Sequence, residues 1–264
     1  MKRIFALLLA LLLLTMPLVS CSGDKDDDEE KEVDLAVTET GLLFVPEGTT
    51  DTYHYVYHNS DEVAIIGYEG ADVEHAITVP GEIDGRPVTK ISGDAFKSAT
   101  MLTAVTLPDS MVEIEPWAFF GCVALTTINF PASLTTIGDG AFAGCTKLST
   151  TATLTIPDTV TEIGMMAFFA SGIQGIKLPV SFKAIPDQMF MNCMNLQTVV
   201  WSDAGEEIGA FAFMNCKSLS AINVPSTLKS VGEYAFAECG ALAPLSLPAG
   251  VIPGNNAFYV TPAN

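Results

Sequence analysis

Between Leu102 and Leu125 apolar residues return at fixed offsets, giving Leu-x-x-Val-x-Leu-Pro, a short spacer, and then Ile-x-x-x-Ala-Phe-x-x-Cys-x-x-Leu. The same frame recurs down the chain. Its most regular mark is Ala-Phe, at Ala95-Phe96, Ala118-Phe119, Ala141-Phe142, Ala167-Phe168, Ala212-Phe213, Ala235-Phe236 and Ala257-Phe258, with Met189-Phe190 standing in once. Successive Phe residues lie 23, 23, 26, 22, 23, 23 and 22 positions apart. A period in the twenties marks a solenoid of stacked turns. The pattern therefore predicts a repeat solenoid, mainly β with short turns, of about eight turns of about 23 residues.

Within each repeat, Val105-Thr106-Leu107 or Ile222-Asn223-Val224 alternates with period two, which predicts a strand with one buried face. Proline follows, at Pro108, Pro131, Pro157, Pro179 and Pro225, with Ser202 substituting once and Pro248 one residue closer to its Phe. Lacking a donor, it marks the end of the strand. The stretch from Ile to Leu is too short for a well-formed helix and reads as a second extended or turn element around Ala-Phe. No single repeat buries enough to stand alone, so stacking must supply the core.

These motifs resemble the BspA-like leucine-rich repeats of bacterial surface proteins, over a stretch from about Tyr53 to the end. Ala64-Ile65-Ile66-Gly67-Tyr68 and the run from Ile77 to Val88 look like that family's first, hairpin-bearing turn. The resemblance implies a cell-surface protein that binds or adheres to an extracellular protein or glycan. A structural or accessory subunit of a surface or glycan-handling complex is the alternative it leaves open.

The first residues change the picture. Lys2 and Arg3 precede an apolar run from Ile4 to Leu14 and then Leu18-Val19-Ser20-Cys21, the order of an export signal. Leu-Val-Ser-Cys resembles a bacterial lipobox, which implies lipidation at Cys21. The expected organisation is a lipoprotein signal peptide over 1–20, a lipidated acidic tether over 21–34, an N-terminal β cap and first turn over 35–88, and the leucine-rich repeat solenoid over 89–264. The tether holds seven acids and two lysines between Asp24 and Glu32 and should stay extended by self-repulsion. Acids placed after a lipidated Cys also resemble the surface-export signal of Bacteroidetes lipoproteins, which would put the protein on the outer membrane. A Gram-positive lipoprotein can carry a similar spacer.

The net charge of -19 makes nucleic acid and anionic membrane surfaces poor partners, leaving the lipid anchor as the only expected membrane contact. Cys122, Cys145, Cys193, Cys216 and Cys239 each follow their Phe by three residues, with Ser171 and Ala99 filling the same position. An odd set at one repeat position is no disulfide framework. It predicts a buried column where only size matters, so that a serine at Cys216 would carry a hydroxyl without a partner.

Chemistry is sparse. His54 and His58 lie in an alternating strand pattern, where four residues span ~13 Å, too far to share a metal ion. His75 is the last histidine, which excludes a Ser-His-Asp or Cys-His site within the repeats. Gly138-Asp139-Gly140-Ala141-Phe142-Ala143 mimics a nucleotide loop but occupies the repeat frame. The position before the second Ile reads Glu113, Thr136, Glu162, Ala184, Glu207, Ser230. Acids on alternate turns stand ~10 Å apart, an alternation that avoidance of like-charge stacking explains. No catalytic residue, no metal site and no cofactor is expected, and the chain does not read as an enzyme.

The outward face of the Pro-ended strand is the expected partner surface. Its small, nearly uncharged rows supply the candidate binding residues Thr106, Thr127, Asn129, Thr155, Lys177, Thr198, Asn223 and Ser246. An insertion near Ser149 to Ala152 and the Met-rich positions Met189, Met191, Met194 and Met214 interrupt the regularity. In the last repeat Val251-Ile252-Pro253-Gly254-Asn255-Asn256 departs from the frame. The tail is expected to fold back as an improvised cap and keep the protein monomeric.

Overall fold

The computed structural model describes residues 41–58, 61–70, 72–148 and 153–262. The chain divides into two units, Met1–Ala36 and Val37–Asn264. The signal, Cys21, the acidic run and the insertion at 149–152 lie outside the described residues.

The second unit opens with β1 (Leu42–Phe44), β2 (Thr52–His58) and β3 (Glu62–Glu69), three antiparallel strands. β3 then runs parallel to β6 (Arg86–Ile91), and β5 (Glu82–Ile83) folds onto β6 as a hairpin. Asp84 and Gly85 form that hairpin's turn with φ of 53° and 73°, the left-handed pair a two-residue loop needs. This is the expected N-terminal β cap.

Beyond it every turn gives two short strands. The Pro-ended strands are β4 (His75–Thr78), β7 (Leu102–Thr106), β9 (Thr127–Ile128), β11 (Leu154–Thr155), β13 (Gly175–Lys177), β15 (Thr198–Val200) and β17 (Ala221–Ile222). The strands before Ala-Phe are β6, β8 (Glu113–Ile114), β10 (Thr136–Ile137), β12 (Glu162–Ile163), β14 (Ala184–Ile185), β16 (Glu207–Ile208) and β18 (Ser230–Val231). Each set pairs in parallel with its own kind in the next turn, so two ladders run along the stack. Seven turns of about 23 residues carry both strands, one fewer than the repeat count. The described residues contain no helix.

The Ala-Phe segment forms a third ladder. The Phe96 N–H donates to the Ala118 carbonyl, Phe119 to Ala141, Phe142 to Ala167, and so on through Phe236 to Ala257. The residue two after Phe repeats the contact, from Ser98 to Phe120 through Glu238 to Tyr259. Inside the turns the eight Phe rings stack at 4.9 to 5.9 Å with planes within 15° of parallel. Tyr68 of the cap closes the column against Phe96 at 4.9 Å. Burial of each ring stabilises the stack by ~1.5–3 kcal/mol.

Each strand ladder breaks once. The Pro-ended ladder breaks between β9 and β11, across the insertion. The other breaks between β12 and β14, where the residue after Ile is Pro186. In other turns that position donates its N–H to the preceding turn, Gly138 to Ile114, Gly164 to Ile137 and Gly209 to Ile185. Proline has none to give. The third ladder runs through both breaks.

The expectation that the tail folds back as a cap is corrected. Residues 254–262 add an eighth Ala-Phe turn. Phe258 stacks on Phe236 at 5.5 Å, and Thr261 takes the cysteine position. A repeat frame that keeps Ala-Phe and a small donor keeps stacking even when its strands lapse.

Candidate interaction surface

All eight candidate residues face solvent, Thr106, Thr127, Thr155, Lys177 and Thr198 on the Pro-ended strands and Asn129, Asn223 and Ser246 outside them. Their rows are in the expected register, with Thr127 opposite Ala104, Thr198 between Gly175 and Ala221, and Lys177 between Thr155 and Val200. Two of them do more than face outward. Asn129 accepts from the Leu107 N–H at 2.6 Å and donates to the Leu107 carbonyl at 3.0 Å, and Asn223 makes the same pair of bonds to Trp201. These amides close the ladder at its proline end. Ser246 is exposed but lies in no strand.

The cysteine column needs a correction. All five thiols are buried and free, yet size is not their only property. Each donates to the carbonyl of a Phe in an earlier turn: Cys122 to Phe96 at 3.1 Å, Cys145 to Phe119 at 3.2 Å, Cys193 to Phe168 at 2.9 Å, Cys216 to Phe190 at 3.0 Å and Cys239 to Phe213 at 3.1 Å. Thr261 donates its hydroxyl to Phe236 in the same way, and Ser171 bonds Cys193. The column selects small donors. Burial pushes the Cys193 thiol up to about 11 and Cys239 up to about 12. Cys145 is raised first by its hydrogen bond with Cys122, and Cys216 first by burial. Such thiols stay protonated and unreactive near neutrality.

His54 and His58 lie on β2 and His75 on β4. His75 bonds Tyr68 at 2.6 Å and Asp51 at 3.3 Å, and His54 bonds Glu69 at 3.2 Å. Among the described residues no group of His, Cys, Asp or Glu is placed to hold a metal ion. Glu113, Thr136 and Glu162 stand in register on β8, β10 and β12, so the acids alternate as anticipated. Lys90 bridges Glu113 at 2.8 Å and Glu115 at 2.9 Å. Burial would raise Glu115, but the bonds from Lys90 and the Gly93 N–H outweigh it and hold the carboxyl below its ordinary range.

Two features escape a reading of the sequence. A glycine recurs at one repeat position, after Ile at Gly138, Gly164 and Gly209, after Val231 at Gly232 and after Pro253 at Gly254. A Cβ at Gly138 would meet the Pro116 nitrogen at 2.4 Å, and one at Gly164 the Asp139 nitrogen at 2.4 Å. The turns touch backbone to backbone there. The second feature is the position two before Phe, which has positive φ in every turn, including Trp117 (62°), Met166 (56°), Phe211 (58°) and Tyr234 (51°). Asp94, Gly140 and Asn256 suit that conformation. Bulky residues there cost ~1–2 kcal/mol each. They form a partly exposed row, with Trp117 edge-on to Phe120 at 5.6 Å and Phe211 stacked on Tyr234 at 5.3 Å.

Parallel ladders, stacked Phe rings and long solvent-facing rows define the class: a β-solenoid of the leucine-rich repeat kind. The family model described as BspA type leucine rich repeat region matches residues 82–153 and 149–263. The chain belongs to this BspA-type leucine-rich repeat family. It is similar to the crystal structure of the T. pallidum leucine-rich repeat protein, at 29% identity and a TM-score of 0.57, over 80% of this chain and 88% of that one. A leucine-rich repeat protein from Eubacterium ventriosum shares the fold at 24% identity and a TM-score of 0.54, over 70% of this chain and 58% of that one. No curated protein matches the chain significantly.

Proposed function

We propose that this protein is an exported, lipid-anchored binding protein of the bacterial cell surface that adheres to an extracellular protein or glycan. Leucine-rich repeat proteins are in general binding scaffolds without enzymatic activity. The observation that carries the reading is a pair of adjoining solvent-facing rows on the Pro-ended strands, one with Thr106 and, beyond the break, Thr155 beside Lys177, the other with Thr127 beside Ala104 and, beyond the break, Thr198 between Gly175 and Ala221. Small polar side chains spread along two such rows suit an extended partner recognised by shape and hydrogen bonding. Cys21 is the proposed lipid attachment site and the acidic run the proposed tether, on a protein that acts as a monomer.

The test uses the full chain against immobilised extracellular-matrix proteins and a glycan array. Thr127→Arg and Thr198→Arg place bulk on the row without touching the core. Loss of capture with an unchanged circular dichroism spectrum is expected, and capture equal to wild type overturns the assignment of this face. Incorporation of a fatty-acid probe should vanish in Cys21→Ala. Labelling as strong as wild type removes the anchor.

A further inference from the structure

Most steps through the strands before Ala-Phe are closed by the same bonds. The Val112 carbonyl accepts from Thr135 and the Ile114 carbonyl from Gly138, and the Thr135 and Ile137 carbonyls are taken in turn by Thr161 and Gly164. Between β12 and β14 both are missing. The Thr161 and Ile163 carbonyls accept no hydrogen bond from a described residue, and the Lys183 and Ala184 N–H groups donate none. Pro186 accounts for one of the absences, since it sits where glycine donates elsewhere. The turns are still held at their other corners, by β11 against β13 and by Phe168 against Phe190. The result is a seam, open on one face of the stack, with acceptors on one lip and donors on the other.

A groove of about 550 Å³ lies on this seam, bordered by Glu113, Thr136, Glu162, Phe182 and Pro186. Its lining carries the acids Glu113, Asp139 and Glu162 and no Lys or Arg. Glu113 is paired with Lys90, and Asp139 accepts from the Met165 N–H at 2.7 Å. Glu162 has no partner among the described residues. An unpaired carboxylate beside two open carbonyls is a set of acceptors that cationic donors satisfy.

The floor contributes a second constraint. The lining includes the backbones of Gly138 and Gly164, packed against the turn before each, with Pro116 and Pro186 flanking them. Glu113 and Glu162 flank Thr136 in register, two ladder steps or ~10 Å apart. A polyproline II chain repeats its side-chain direction every three residues, ~9.3 Å along its axis. The two spacings agree.

We propose that the seam between β12 and β14 docks an extended, cationic polypeptide segment carrying Lys or Arg at every third residue. One cationic head bonds Glu162 and one of the two free carbonyls, that of Thr161 or that of Ile163. This surface is separate from the Pro-ended rows, and what those rows bind does not affect it.

The test is fluorescence anisotropy of a labelled peptide repeating Lys-Pro-Thr, titrated with the full chain. Controls are the Glu-Pro-Thr repeat and a peptide of the same composition with its lysines clustered. Saturable binding by the Lys-Pro-Thr repeat alone is expected. Glu162→Gln should weaken it about tenfold, the loss of one charge-assisted contact. Pro186→Gly restores an N–H for the Ile163 carbonyl and should weaken binding comparably by closing the seam. Asp109→Asn, an exposed change outside the groove, should leave it unchanged. Glu162→Gln is a surface change that keeps the fold, so the proposal does not depend on the behaviour of Pro186→Gly. The proposal is overturned if Glu162→Gln binds as Asp109→Asn does, if the clustered peptide binds equally well, or if no saturable binding is seen. Thr198→Arg should not alter peptide binding, which separates failure here from failure of the adhesive face.

Discussion

A thiol three residues after Phe is both small enough for the column and able to reach the carbonyl of an earlier turn. Cys216→Ser keeps the donor for Phe190, as Thr261 does for Phe236, so it should cost no more than ~1 kcal/mol. Cys216→Val fills the space without donating and should cost more, ~1–3 kcal/mol from overpacking; urea denaturation of both variants checks the order. Cys145, Cys193, Cys216 and Cys239 also make the fold sensitive to alkali. Their folded values are raised, so the native state holds the proton more tightly than the unfolded chain. That contribution is complete below the free-thiol value of ~8.5. It is lost as pH rises through about 11 for Cys193 and about 12 for Cys239. Stability measured against pH should fall on that limb, and Cys193→Ala should flatten it.

At the level of the elements, what reads clearly in the sequence is what repeats in residue type. Ala-Phe, the proline and the alternating strand residues place both strands, the turn and the buried faces, because period and polarity map directly onto burial. The glycine column is equally visible as letters, but its reason is a distance between backbones of different turns. The seam is less legible still. Pro186 looks like one more proline in a proline-rich repeat, and only its alignment with Gly138 and Gly164 shows that a donor has been removed. Asn129 and Asn223 mislead in the other direction, since polar residues on an outward row read as partner contacts while their amides are spent on the neighbouring turn. These cases differ in one respect, that an interaction between turns has no signature within a turn. The glycine column can be tested directly. Gly138→Ala drives a Cβ into the Pro116 nitrogen at 2.4 Å, backbone against backbone, whereas a Cβ at Gly240 meets nothing within 4 Å. The first substitution should cost about 3 kcal/mol and the second less than ~1 kcal/mol, read as the difference in their denaturation midpoints.

In the unit as a whole, the staggering of the two breaks matters more than either break. Passing from the turn of Phe142 to that of Phe168 crosses the gap in the Pro-ended strands but keeps β10 paired with β12. Passing on to Phe190 crosses the seam but keeps β11 paired with β13. The ladder at Ala-Phe is the one connection common to both steps, and Phe168 stands in the turn they share. Solenoid stability is a sum of turns and nearest-neighbour interfaces, so a weakened turn divides the stack rather than lowering it evenly. Phe168→Ala removes the ring that stacks at 5.6 Å on Phe142 and at 5.9 Å on Phe190. Its direct cost should be ~3–5 kcal/mol. The turns from Phe96 to Phe142 keep the Tyr68 cap and both of their strand ladders, so they should retain protection. Those from Phe190 onward lose the template beneath them. Hydrogen exchange followed by mass spectrometry should show the amides of Phe190, Phe213 and Phe236 exchanging well before those of Phe96 and Phe119, and unfolding should separate into two transitions. Phe119→Ala, placed where β6, β8 and β10 are all paired, should leave a single transition. Uniform loss of protection in Phe168→Ala would show that the stack unfolds as one body and that the paired strands, not the Ala-Phe ladder, carry its cooperativity across the breaks.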